Sequence, residues 1–204
     1  MCPNRRPAPA GRSGTVTGVT RIVAGSMGGR RLTVPAGGHT RPTSDRVREA
    51  LFNSLQTLTE LSGARFADLY AGSGAVGLEA LSRGAAHVLL VESHPKAVRA
   101  ARDNIAALGV RSRVSLVTAS VPSALAAGTD EAYDVVFADP PYDLPDEQIG
   151  GLQRALISSG WLAPGALVVI ERSRRAQPVT WVEPVTEVRT RRYGETVLWY
   201  GRRP

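Results

Sequence analysis

Cysteine is nearly missing from this 204-residue chain, with Cys2 its only one. A lone cysteine excludes an internal disulfide and any multi-cysteine zinc or iron–sulfur site, and it fits a reducing compartment, the cytoplasm. Histidine is scarce as well. His39, His87 and His94 are scattered, and no metal site is expected from them. There is no apolar run of about eighteen residues, the length that a spanning helix needs, so no membrane association is expected. The first residues carry arginines with no apolar stretch behind them, which does not read as a secretory signal. Lysine is reduced to Lys96 among 25 basic residues, so the positive charge is almost all arginine.

That charge is unevenly placed. The net +7 divides into +7 over residues 1–50, −4 over residues 51–170 and +4 over residues 171–204. The middle of the chain is mildly acidic and both ends are basic. Arginine forks bind phosphate bidentately, and basic segments beside a cleft are the footprint of a polyanion partner. A merely solvated surface is the plainer reading of the charge taken alone.

At this length one domain with short additions is expected. Residues 1–19 are rich in Pro, Gly, Ala and Arg, hold little to bury, and read as a disordered basic tail. Residues 20–42 read as a hairpin and loop. Alternation over 20–34 about Gly28-Gly29 places a turn there, with Arg30 and Arg31 just beyond it. Residues 43–204 read as the main domain, led by a helix over 43–60 that Thr43 or Ser44 caps. Val47, Leu51, Leu55 and Leu58 recur in it at helical spacing, and Arg46, Glu49 and Asn53 take the polar face. Strands near 65–70, 87–91, 113–118, 134–138 and 166–171 alternate with helices near 75–83, 95–108, 120–127 and 146–159. Such alternation predicts an α/β fold with a doubly wound, mostly parallel sheet covered on both faces. Strands over 187–192 and 196–200 predict a C-terminal antiparallel hairpin.

Two motifs carry chemistry. The apolar run Tyr133-Asp134-Val135-Val136-Phe137-Ala138 reads as a buried strand, and Asp139-Pro140-Pro141-Tyr142 follows where it leaves the sheet. Two prolines restrict the backbone and remove two amide donors. A carboxylate, a rigid carbonyl and an aromatic ring at one strand end suit a planar amine. Asp139 and the Pro140 carbonyl can accept from its two hydrogens, and Tyr142 can stack on its base. A Pro-rich turn after an edge strand is the bland alternative. The second motif is Ala67-Asp68-Leu69-Tyr70-Ala71-Gly72-Ser73-Gly74-Ala75-Val76-Gly77, which reads as strand, glycine turn and helix. Its glycine spacing is that of a dinucleotide site, and Glu92 closes the next strand where a ribose-binding carboxylate belongs. Asp68 argues against a pyrophosphate at the loop, because an anion there would repel it. It favours S-adenosyl-L-methionine, whose α-ammonium a carboxylate can bind. Glycines that serve only a tight turn are the structural alternative.

In this order the two motifs resemble those of the amino-methyltransferases that alkylate nucleobase amines. Arg21-Ile22-Val23-Ala24-Gly25-Ser26-Met27-Gly28-Gly29-Arg30-Arg31-Leu32, followed by Arg41-Pro42-Thr43-Ser44-Asp45-Arg46-Val47-Arg48-Glu49-Ala50-Leu51-Phe52-Asn53, resembles the RsmD family. That family methylates the N2 amine of one guanine, the 966-type site, in the 16S rRNA of the bacterial small ribosomal subunit. The resemblance runs from about Thr20 to Tyr200. It implies a class I (Rossmann-like) methyltransferase fold, S-adenosyl-L-methionine as cofactor, and 16S rRNA as partner, naked or in a small-subunit assembly intermediate.

On this reading Asp139, Pro140, Pro141 and Tyr142 form the catalytic set. Asp68 and the loop Ala71, Gly72, Ser73 and Gly74 hold the methionine end of the cofactor. Glu92 binds the ribose and Ser93 supports the adenine side. After the third strand Val117-Thr118-Ala119-Ser120 offers no Asp or Asn, so Ser120 or backbone atoms take that contact. Arg30, Arg31, Arg41, Arg46, Arg192 and Tyr193 are the expected RNA contacts. Residues 1–40 hold no cofactor or amine ligand, so their removal is expected to leave the core folded. Two other readings stand at this point: a DNA adenine-N6 methyltransferase, which uses the same tetrapeptide, and a non-catalytic RNA-binding or assembly factor on a methyltransferase scaffold.

Overall fold

The computed structural model describes residues 18–35 and 45–204. Most of the predicted tail, together with residues 36–44 that include Arg41, Thr43 and Ser44, lies outside the described residues. Strands β1 (Gly18–Arg21) and β2 (Arg31–Val34) form an antiparallel pair, and helix α1 (Asp45–Leu58) follows. The chain then alternates through β3 (Arg65–Leu69), α2 (Ala75–Ser82), β4 (His87–Glu92), α3 (Pro95–Leu108), β5 (Val114–Thr118), α4 (Val121–Ala126), β6 (Tyr133–Ala138), α5 (Asp146–Ser158) and β7 (Leu162–Ser173). It closes on the hairpin β8 (Thr186–Tyr193) and β9 (Thr196–Arg202).

The seven-stranded sheet has the order β5-β4-β3-β6-β7-β9-β8. Strands β3 to β7 pair in parallel, and β9 joins antiparallel to both β7 and β8. Strand order reverses between β3 and β6, which leaves a crevice at their carboxyl ends, where ligands bind in such sheets. Because β6 lies between β3 and β7, the tetrapeptide after it does not follow an edge strand.

The strands are near-continuous apolar runs because both faces are covered. Phe66, Val88, Leu90, Phe137 and Val169 pack under Leu51, Phe52 and Leu55 of α1 and under α2 and α3. Leu69, Leu89, Val91, Val136, Val168 and Ile170 pack under α4 and α5. Local signals set the helix ends. Pro95 opens α3, where a missing donor costs little, and Gly109 (φ 71) ends it in the left-handed region.

The N-terminal hairpin corrects one expectation. Ile22 and Leu32 are fully buried in the core. The amides of Val23 and Ala24 donate to the buried Glu79 carboxylate at 2.6 and 3.0 Å, and that of Thr33 donates to Asn104 Oδ1 at 2.8 Å. The link between its strands is wider than a Gly28-Gly29 turn. Gly25 (φ 84) lies against the end of α2, where a Cβ would stand 2.0 Å from the Ser82 carbonyl oxygen. Removing residues 1–40 therefore strips the core, because the alternating pattern that marks a hairpin also marks one whose inner face is buried.

Candidate active site

At the carboxyl end of β3 the backbone turns through three left-handed residues: Tyr70 (φ 64), Gly72 (φ 56) and Gly74 (φ 79). A bulky residue in that region is strained, and such strain collects at functional sites. Three of the four loop amides are engaged internally. Ala71 donates to the Val91 carbonyl at 3.0 Å, Gly74 to the Ala71 carbonyl at 2.7 Å, and Gly72 to Glu92 Oε2 at 2.8 Å. Glu92 Oε1 accepts from the amides of Ser93 and His94, both at 2.7 Å. Glu92 is thus locked to the loop at the neighbouring strand end. Asn104 of α3 bonds the Ser73 and Thr33 carbonyls at 3.0 and 2.9 Å and ties the loop to β2.

Asp68 lies beneath the loop, buried, and accepts from the Gly77 amide of α2 at 2.8 Å. Burial pushes its carboxyl up from 3.8 to about 7; the Gly77 bond opposes this and the Glu92 charge adds to it. A carboxyl raised in the folded state adds stability that is complete below its unfolded value and lost as pH rises through its folded value. Asp68→Asn keeps an acceptor for Gly77, so it should gain stability on the wild type between about pH 4 and pH 7, by at most about 1.4 kcal/mol per pH unit. Melting curves of both proteins across that range check this; a gap that does not change with pH contradicts it.

Gly77 is required for close packing. A Cβ there would lie 2.4 Å from Leu90 Cδ2 and 2.7 Å from Val88 Cγ1. Gly77→Ala should cost about 1–3 kcal/mol by overpacking and tilt the loop's helix. Chemical denaturation reads the loss, and an unchanged midpoint would contradict the packing role.

Asp139 leaves β6 one position after Ala138, which pairs with Leu69 of β3 on one side and Ile170 of β7 on the other. Asp139 and Glu171 are therefore next to one another on adjoining strand ends. By alternation Asp68, Asp139 and Glu171 share the face of Phe66, Phe137 and Val169. Burial, then the charges of Glu171 and Asp68, pushes the Asp139 carboxyl well above the usual range. Pro140 is buried, Pro141 is exposed and Tyr142 is half-exposed. The loop beyond is held by the buried Arg172, whose Nη2 donates to the Leu144 carbonyl at 3.1 Å and to Asp146 Oδ1 at 2.8 Å. Glu171 and Arg172 were not among the predicted site residues. They close an apolar strand as Glu92 closes β4, and that shared pattern marks them.

The remaining predicted residues divide. Ser93 is exposed beside Glu92. Ser120 caps α4, its side chain accepting from the Ser123 amide at 3.3 Å. Arg30 donates to the Ala107 carbonyl at the end of α3, at 2.8 Å. Since α3 starts from the carboxyl end of β4, that contact lies on the opposite edge from Asp139. Arg31, Arg46 and Arg192 are exposed, and Tyr193 packs against the core. Among the described residues no cluster is placed to hold a metal ion, and no helix is long and apolar enough to cross a membrane.

Comparison with known proteins agrees with this arrangement. Residues 20–202 match the family model described as conserved hypothetical protein 95. Ribosomal RNA small subunit methyltransferase D of Escherichia coli K12 is 40% identical over 158 residues, 76% of this chain and 75% of that one. The solved structure of Escherichia coli yhhF superposes with a TM-score of 0.79 at 35% identity, covering 91% of this chain and 98% of that one. A hypothetical protein of Thermus thermophilus superposes at 0.71 with 34% identity, covering 89% and 98%. With the glycine loop and the Asp-Pro-Pro-Tyr turn meeting at the switch point of a methyltransferase sheet, the chain belongs to the RsmD family.

Proposed function

We propose that this protein is an S-adenosyl-L-methionine-dependent methyltransferase of the cytoplasm that modifies the exocyclic N2 amine of one guanine, the 966-type site, in 16S rRNA. One observation carries the reading: Asp139 stands at the end of β6, beside the β3 end that bears Asp68 and the glycine loop, with both carboxyls on one face. A binding module has no need of both motifs in one crevice. The names of the E. coli and other relatives support rRNA as substrate.

The residues fit the cofactor. It carries a sulfonium and an ammonium, and Asp68 and Glu92 flank a loop whose bends bring the backbone close to a ligand. When bound it supplies an electrophilic methyl group. The amine's lone pair is delocalised into the ring, so its orientation is the enzyme's task. Asp139 and the Pro140 carbonyl accept the two N–H bonds and aim the lone pair, and Tyr142 stacks on the base. The new N–C bond makes the nitrogen acidic, and Asp139 or water takes its proton. Burial chiefly raises the Asp68 and Asp139 carboxyls, with the Glu92 charge adding at Asp68 and the Glu171 and Asp68 charges at Asp139, and a cation close to both offsets that rise. A base held in a helix or stack must first be extruded. Arg31, Arg46 and Arg192 offer exposed guanidinium groups to the RNA.

Calorimetric titration with S-adenosyl-L-methionine tests the reading against a scaffold that only binds RNA. Saturable binding is expected; no heat of binding would overturn it.

A further inference from the structure

A groove of about 780 Å3 opens beside the Tyr142 loop, among Asp146, Arg172, Arg175, Gln177 and Glu195. Its walls are the loop after β6, the end of β7 and the β8–β9 turn, so it flanks Asp139 on the side away from the glycine loop. A ligand held by Asp68, the loop and Glu92 leaves it open. The volume is that of a site that takes a small organic molecule or a short piece of polymer.

In its lining Asp146 and Glu195 balance Arg172 and Arg175, and Arg174, just outside the lining, adds a further positive charge at the rim. Arg174 and Arg175 are 60% and 89% exposed, and each approaches Glu195 only to 3.7 Å, beyond hydrogen-bond length. Exposed pairs of this kind are weak. Each guanidinium can therefore exchange that carboxylate for a phosphate, to which it donates two parallel bonds. The groove wall is firm, since buried Arg172 fastens it through Leu144 and Asp146. Arg30, by contrast, is already bonded to the Ala107 carbonyl on the opposite edge.

We propose that this groove holds the RNA strand adjoining the target nucleotide, with Arg174 and Arg175 on its phosphates and Tyr142 at the boundary between strand and extruded base. This rests on the methyltransferase reading. An extruded base needs its backbone gripped beside the site, and Arg174 and Arg175 are exposed cations at this groove on the side of Asp139. The C-terminal basic segment then grips the strand at the reaction centre.

The test is the full-length Arg174→Ala/Arg175→Ala variant beside the wild type, with 16S rRNA as substrate. KM for RNA should rise about tenfold, the scale of two lost exposed ion pairs. The slope of log affinity against log salt should fall by about 1.4, at about 0.7 per single-strand phosphate contact. Turnover at saturating RNA and S-adenosyl-L-methionine affinity should stay within about twofold, which a misfolded variant could not do. Unchanged KM and slope beside normal wild-type turnover would overturn the groove and leave the methyltransferase reading standing. Weakened cofactor affinity in the variant would assign the groove to the cofactor and also overturn the proposal. A wild type that transfers no methyl group would remove both.

Discussion

Replacing Asp139 by alanine is expected to cut methyl transfer by about 10²–10³-fold, the range for loss of one preorganised transition-state contact. Affinity for S-adenosyl-L-methionine should stay within a few-fold, because Asp139 lies on β6 while the glycine loop and Glu92 lie on the β3 and β4 side. The fold should not suffer. Burial and the neighbouring Glu171 and Asp68 charges oppose ionisation of Asp139, so its charge destabilises the folded state. With its folded value raised, its contribution falls as pH rises, and the alanine variant should melt no lower than wild type at neutral pH. Single-turnover kinetics, calorimetry and melting on one preparation read all three quantities. Near-wild-type turnover would remove Asp139 from the chemistry.

Truncation of residues 1–35 is expected to unfold the protein. Ile22 and Leu32 are fully buried, each worth about 1.5–3 kcal/mol. Glu79 would lose its two backbone donors, bonds to a charged group worth about 1.5–3 kcal/mol each. The combined loss of about 6–12 kcal/mol is comparable to the whole stability of an ordinary domain. Arg48, 1% exposed, would also lose the Arg21 carbonyl and keep only Asp45 and Glu79. Circular dichroism should show no cooperative melting transition. A truncated protein with a melting temperature near that of wild type would contradict the packing described for the hairpin.

The sheet was legible because its strands are apolar runs and its helices carry caps. Pro95 and Gly109 bound α3 where the helix near 95–108 is expected. The Asp139 tetrapeptide and the glycine loop were legible because short spacings encode their geometry. Contacts between residues far apart were not. Glu79 sits mid-helix in an unremarkable stretch, yet it joins β1's continuation, α1 and Arg83 through distances of up to 56 positions. Arg48 is buried in α1, because Glu79 and the Arg21 carbonyl meet it there, which helical spacing alone does not show. Arg30 reads as an RNA contact and is bonded to a helix end 77 positions away. Ser120 likewise serves its own helix as a cap.

The most direct measurement is mass spectrometry of nucleosides from unmodified 16S rRNA after incubation with the protein and methyl-labelled S-adenosyl-L-methionine. The label is expected in N2-methylguanosine alone, at one position in the RNA, and is expected to be absent with the Asp139→Ala protein. Label in N6-methyladenosine, or in DNA supplied in competition, would contradict the guanine reading, and no label in any nucleoside would contradict the enzymatic one.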